Sequence, residues 1–154
     1  MRAPSWGSAC QREENAMPHL TAEEANAILL ENFAPWVLAS GLKVENIAAD
    51  GARLRIPFSA ELCRTGAILC GQALISAADS AMVIALAAAS GAFKPCTTVD
   101  LSMSYMRPIR QADALLEAKL MRLGKTLAFL SCAVSEAKGG KAVAFATGTY
   151  ALLD

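Results

Sequence analysis

Gly71-Gln72-Ala73-Leu74-Ile75-Ser76-Ala77-Ala78-Asp79-Ser80-Ala81-Met82-Val83-Ile84-Ala85-Leu86-Ala87-Ala88-Ala89-Ser90 decides the fold. Good helix formers fill the run, and Gly91 follows it, the residue type that most readily closes a helix in the left-handed conformation. A helix this apolar on every side must be buried inside a protein or must span a membrane. Ala dominates the run, Asp79 sits near its centre, and neither aromatic belts nor basic clusters flank it. Those features disfavour a membrane span and predict a buried helix that other elements enclose.

Outward from this helix the hydrophobic period changes from 3.6 to 2. Over 97–106, Val99, Leu101, Met103 and Tyr105 alternate with Thr98, Asp100, Ser102 and Ser104, the pattern of a half-buried strand, which Arg107-Pro108 ends. Stretches 113–123, 126–136 and 141–153 follow, separated by Gly124-Lys125 and Lys138-Gly139-Gly140, both hairpin turn signals. The C-terminal half thus reads as a long antiparallel meander. On the other side, 59–70 reads as a loop containing Glu61, Arg64 and Gly66, preceded by strands over 42–48 and 52–58 that turn at Ala49-Asp50-Gly51. Thr21-Ala22-Glu23-Glu24 is a capping box. Ala25, Ile28, Leu29 and Phe33 share the helical face behind it, and Pro35 stops the helix near Ala34. Trp36, Val37 and Leu38 lead through Gly41 into the first strand.

The predicted class is α+β, a single domain over 19–154 with a long central helix wrapped by a curved antiparallel sheet and an extra N-terminal helix. Residues 1–18 read as a flexible tail. They are polar and mixed, with Pro4, Ser5, Gly7 and Ser8 and no apolar core of secretory length, and Met17 is an alternative start.

Composition excludes several functions. The chain has 154 residues, 55% of them apolar and 18% charged, with 14 basic and 14 acidic residues in balance. That composition rules out a solvating, disordered body. It also lacks the basic footprint of a nucleic-acid binder, and little net repulsion opposes self-association. Five cysteines (Cys10, Cys63, Cys70, Cys96 and Cys132) are odd in number and lack CxxC spacing. They predict neither a disulfide framework nor a zinc cluster, and they suit a reducing cytoplasm. His19 is the single histidine, so no His-rich metal site is expected, and a Ser-His-Asp or Cys-His machine would have to recruit it.

Asp79 is the misfit. Ionised among Ala, Leu, Met and Val, it costs several kcal/mol unless something pairs with it. It is either a structural carboxylate accepting hydrogen bonds from a loop, or a base or nucleophile at the edge of a cleft. Gly71 opens the same helix, where unpaired N–H donors and positive dipole charge can hold an oxyanion, and a glycine lets a substrate approach. Eight residues of helix separate the two by about 12 Å. A symmetric dimer resolves the gap by setting one subunit's helix start against the other's carboxylate.

Cys70-Gly71-Gln72 through Asp79 to Met82, then Thr97-Thr98-Val99-Asp100-Leu101, Met106-Arg107-Pro108, Arg122-Leu123-Gly124-Lys125 and Ala146-Thr147-Gly148-Thr149-Tyr150, resembles the hotdog-fold acyl-CoA thioesterases of the phenylacetate-pathway (PaaI-like) family. The likeness covers roughly 40–153. It implies a helix enclosed by antiparallel sheet, dimers formed by sheet pairing and often paired again into homotetramers, and acyl-CoA sites between subunits. It implies that Asp79 is the catalytic carboxylate, that the Gly71 amide binds the thioester carbonyl, and that Thr98 occupies a hydroxyl position that orients water in some relatives. The chain departs from the family in having Cys70-Gly71-Gln72 for the common His-Gly-Gly, and Arg64 near a frequent Asn.

Arg107, Arg110 and Lys125 are candidate contacts for the CoA phosphates, or ordinary surface charge. Gln72, Ser80, Arg64 and Cys70 are candidate substrate contacts. For Gln72 and Ser80 the alternative is hydrogen bonding within the helix neighbourhood, and Cys70 at a helix start is also testable as a nucleophile. The expected activity is hydrolysis of an aromatic or short- to medium-chain acyl-CoA to free acid and CoA, with no metal or redox cofactor and CoA present only as part of the substrate. The expected partners are the small-molecule acyl-CoA and further copies of the chain, with no nucleic acid and no membrane span. The rival is a hotdog protein that binds acyl-CoA or a lipid-like ligand without turnover. A His-dependent hotdog dehydratase would need His19.

Overall fold

The computed structural model describes residues 20–153. The predicted tail, Cys10 and His19 lie outside the described residues. Helix α1 (Ala22–Asn32) starts at the predicted capping box: the Thr21 hydroxyl accepts from the Glu24 amide at 3.2 Å, and the Glu24 carboxylate accepts from the Thr21 amide at 2.7 Å. Pro35 opens a second short helix, α2 (Pro35–Leu38), that periodicity did not predict; proline at the first helical position is preorganised for it. Strands β1 (Lys43–Ala48) and β2 (Gly51–Ile56) form the expected hairpin. The predicted loop over 59–70 is more ordered than its composition suggests. It holds a 3₁₀ turn (Ala60–Leu62) and a small hairpin of β3 (Cys63–Arg64) and β4 (Ile68–Leu69).

Helix α3 (Gly71–Ser90) spans the decisive run and ends at Gly91 with φ +76°. Strands β5 (Cys96–Tyr105), β6 (Ala114–Leu123), β7 (Leu127–Glu136) and β8 (Ala142–Leu152) complete the chain. The sheet runs β1-β2-β6-β7-β8-β5, antiparallel throughout. One sequence expectation is corrected here: only β6, β7 and β8 form the meander. β5 lies beside β8, and residues 106–113 carry the chain across to put β6 against β2. Turn signals mark where strands end but not which neighbour each takes, and Arg107-Pro108 ends β5 without a hairpin.

This is the hotdog arrangement, a long helix held in a curved six-stranded sheet. Ala77, Ala78, Ala81, Ala85, Ala87 and Ala88 are buried on α3, so the strands approach its backbone closely, while Met82, Ile84 and Leu86 fill the remaining space. Each of these larger side chains contributes about 1.5–3 kcal/mol by leaving water. By length and composition α3 is apolar enough to cross a membrane, but 61% of its most apolar window is buried inside the protein; it is the core helix. Cys132 is buried too, and burial first, then the Glu117 charge, pushes its thiol up to about 12. It is a small hydrophobe.

The two sheet edges are treated differently. On β1 the Asn26 side chain imitates a neighbouring strand, accepting from the Val44 amide and donating to the Val44 carbonyl, each at 2.9 Å. On the opposite edge, ten-residue β5 carries no such cover among the described residues. Its sequence alternation is also broken. Thr98 pairs with Tyr150, Asp100 with Thr149 and Leu101 with Gly148, so Val99 bulges out of register and is 59% exposed. A bulge inverts which face later residues occupy. Leu101 and Met103 face the core as expected, but upstream of the bulge it is Thr98 and Cys96 that turn towards α3.

Candidate active site

Asp79 is half-buried on the side of α3 that faces β5 and β8. Its Oδ1 accepts from the Tyr150 hydroxyl at 2.8 Å and from Thr98 Oγ1 at 3.3 Å. No described residue donates to Oδ2, and no described Lys or Arg forms an ion pair with the carboxylate. Both hydroxyls therefore grip one oxygen and leave the other free. Burial, then the Asp79 charge and its hydrogen bond, push the Tyr150 phenol far above its ordinary range; it stays protonated and acts as a donor. Cys96 is raised by burial and then by the Asp79 charge, which keeps it a thiol rather than a nucleophilic thiolate.

Room for this arrangement comes from Gly148. A Cβ there would lie 2.8 Å from Tyr150 Cε2, 3.0 Å from its hydroxyl and 3.1 Å from Met82 Cε. Tyr150 itself is fully buried. Neither residue stood out in the sequence as a site group, because an aromatic at an inward strand position is the ordinary pattern of a core.

Gly71 lies at the other end. It begins α3 behind Cys70, whose side chain makes no capping hydrogen bond. No described residue accepts from the Gly71 amide, as expected of a first-turn donor. Tyr105 lies over it: its hydroxyl donates to the Gly71 carbonyl at 2.8 Å, and a Cβ on Gly71 would come within 3.2 Å of the ring. A cavity of about 350 Å³ opens here, lined by Arg64, Ile68, Gly71, Tyr105, Met106, Arg107, Pro108 and Arg110. Arg107 is braced on the Ala142 carbonyl and Arg110 on the Gly66 carbonyl, each at 3.2 Å. None of the three arginines meets a described carboxylate. With the positive end of α3, they make a cleft suited to an anion.

The sequence-derived candidates thus fall into two groups within one chain. Gly71, Arg64, Arg107 and Arg110 converge on the cleft; Asp79 and Thr98 meet some distance along the helix. Gln72 is exposed on the first turn and Cys70 is part-exposed beside Gly71. Ser80 is buried and its hydroxyl donates to the Ser76 carbonyl at 2.9 Å, a helix-internal bond that keeps it out of the cleft. Lys125 is exposed in the β6–β7 turn, and the adjoining Thr126 carbonyl accepts from Leu152, at the Cys96 end of β5 and away from the arginines. Among the described residues no cluster of His, Cys, Asp or Glu is placed to hold a metal.

Comparison with known proteins bears on the fold and its family. The model of the thioesterase superfamily matches residues 68–143, a span that includes the helix, Asp79 and every cleft-lining residue except Arg64. Over that span the chain is similar to the thioesterase superfamily. A provisionally named esterase of Saccharolobus solfataricus is 27% identical over 120 residues, 75% of each chain. A thioesterase from Haemophilus influenzae shares the fold with a TM-score of 0.78 at 16% identity, covering 88% of this chain and 92% of its own. Zebra fish thioesterase superfamily member 2 superposes with a TM-score of 0.74 at 22% identity, over 86% and 95% of the two chains. At those identities the two structures establish the fold alone. The activity class these likenesses support is hydrolysis of a thioester.

Proposed function

We propose that the protein is a cytoplasmic acyl-CoA thioesterase of the PaaI-like kind, working as a homodimer or a homotetramer built from dimers. The observation that carries this reading is the placement of the two half-sites along one open edge strand. Tyr105, at one end of β5, covers Gly71, and Thr98, near the other end, touches Asp79. A two-fold, antiparallel pairing of β5 with its copy lays the Tyr105 end of each strand beside the Thr98 end of the other. That brings Gly71 of one protomer towards Asp79 of its partner.

In the assembled site Arg64, Arg107 and Arg110 hold the phosphates of CoA, and the Gly71 amide receives the thioester carbonyl oxygen. The free Oδ2 of Asp79 removes a proton from water as the hydroxide oxygen bonds to the carbonyl carbon. Collapse of the oxyanion breaks the carbon–sulfur bond, and the proton passes from Asp79 to the departing sulfur, giving free acid and CoA. Thr98 helps to orient the carboxylate and the water.

The test is release of free thiol from aromatic, short-chain and medium-chain acyl-CoAs. Asp79→Asn is expected to lower the rate by about 10²–10⁴-fold, the usual contribution of a general base, with the oligomer and circular dichroism unchanged. Wild-type turnover by that variant removes the carboxylate from the mechanism. Tight binding of acyl-CoA without thiol release means a binding protein instead.

A further inference from the structure

We propose that Tyr150 is the positioning residue of the Asp79 carboxylate, holding it turned so that Oδ2 alone faces the reacting water. This deepens the proposed function and rests on Asp79 being its base. A carboxylate on an apolar helix needs hydrogen-bond donors, and every described donor to the Asp79 carboxylate is a hydroxyl: Tyr150 from β8 and Thr98 from β5. Nothing charged faces it from its own helix, β5 contributes the neutral Cys96 thiol besides Thr98, and β7 contributes the buried Cys132 beside Tyr150.

The two donors differ in seating and bond length. Thr98 is exposed on the edge strand, and its bond is long at 3.3 Å. Tyr150 is fully buried, seated against Gly148 and Met82, and its bond is 2.8 Å. The same hydroxyl also lies 3.4 Å from the Asp79 main-chain carbonyl, so the phenol is referenced to the helix backbone as well as to the carboxylate. The buried ring, with the shorter bond, sets the carboxylate plane, and the longer Thr98 bond follows it. The residue that fixes the base therefore lies on a strand, 71 positions away in sequence.

Tyr150→Phe removes only the hydroxyl and leaves the ring in its seat. Expected are a fall in kcat of about tenfold or more, the value of one hydrogen bond to a charged group, and little change in KM, since the phenol does not touch the substrate. Loss of packing alone would lower stability and the amount of active enzyme but would leave kcat per folded, active site where it was. A Tyr150→Phe variant that matches the wild type in kcat per active site overturns the proposal. Asp79→Asn measured alongside keeps the two ideas apart. If Asp79→Asn is inactive and Tyr150→Phe is indistinguishable from wild type, only the positioning role falls; if Asp79→Asn is fully active, the base assignment itself falls.

Discussion

Gly148 shows how one missing methyl group leaves room for the Tyr150–Asp79 hydrogen bond. In a strand interior glycine is ordinarily a weak choice, and alanine gains a few tenths of a kcal/mol in strand preference. At Gly148 the opposing effect is larger, because the added Cβ would sit 2.8 Å from the Tyr150 ring with Met82 behind it. Overpacking of this kind costs about 1–3 kcal/mol. Gly148→Ala is therefore expected to lower the urea midpoint, and to reduce thiol release further than lost stability explains, because the ring and its hydroxyl must move off Asp79. An increase in stability with full activity would show that the strand relaxes around the methyl group. Asp79 itself was legible because a carboxylate amid alanines violates the composition of a buried helix. Tyr150 and Gly148 violate nothing locally; only the register that sets Gly148 two residues before Tyr150, on the face turned to Met82, makes them a site.

At the scale of elements, the difference between β1 and β5 matters most. β1 is an edge strand whose open backbone is answered by Asn26, and β5 is one whose backbone is not. Unanswered edges recruit further strands, so in the proposed dimer Asn26 leaves β5, uncovered among the described residues, as the edge for the second copy. Asn26→Ala leaves the Val44 amide and carbonyl without their partner and is expected to cost about 1–3 kcal/mol, read as a lower denaturation midpoint. Larger assemblies should appear in size-exclusion chromatography, with kcat per folded chain unchanged. A variant equal to wild type in both readouts would mean that water replaces the side chain. The helices and strands themselves were readable from the capping box, the Ala-rich run and the turns at Gly124 and Gly139. The neighbour of β5 was not readable, since strand order depends on which apolar faces meet across the helix. Nor was the bulge at Val99, because the Val99–Tyr105 alternation is unbroken in sequence and it is the paired strand that leaves Val99 without a partner. That bulge is what turns Thr98 towards Asp79, so the resemblance named a residue whose orientation periodicity had assigned to the wrong face.

At the scale of the molecule, the shared site is a claim about two chains, and it has a test that one chain cannot pass. Gly71→Pro removes the proposed carbonyl donor with little disturbance to the helix, for proline suits the first helical position and Cys70 already has the extended ψ of 151° that a residue before proline requires. The Cβ would press on Tyr105, which is 50% exposed. Gly71→Pro and Asp79→Asn are each expected to be inactive as pure proteins. When the two are unfolded together in equal amounts and refolded, random reassortment of two-fold dimers leaves about one site in four with an intact Gly71 from one chain facing an intact Asp79 from the other. Thiol release should return to about a quarter of the wild-type rate per chain on that statistic. A site completed within each chain gives no recovery at any mixing ratio, because every chain then carries one broken half. Recovery that disappears when the same two variants are mixed without unfolding would further show that the active pairing is a stable dimer and not a transient encounter.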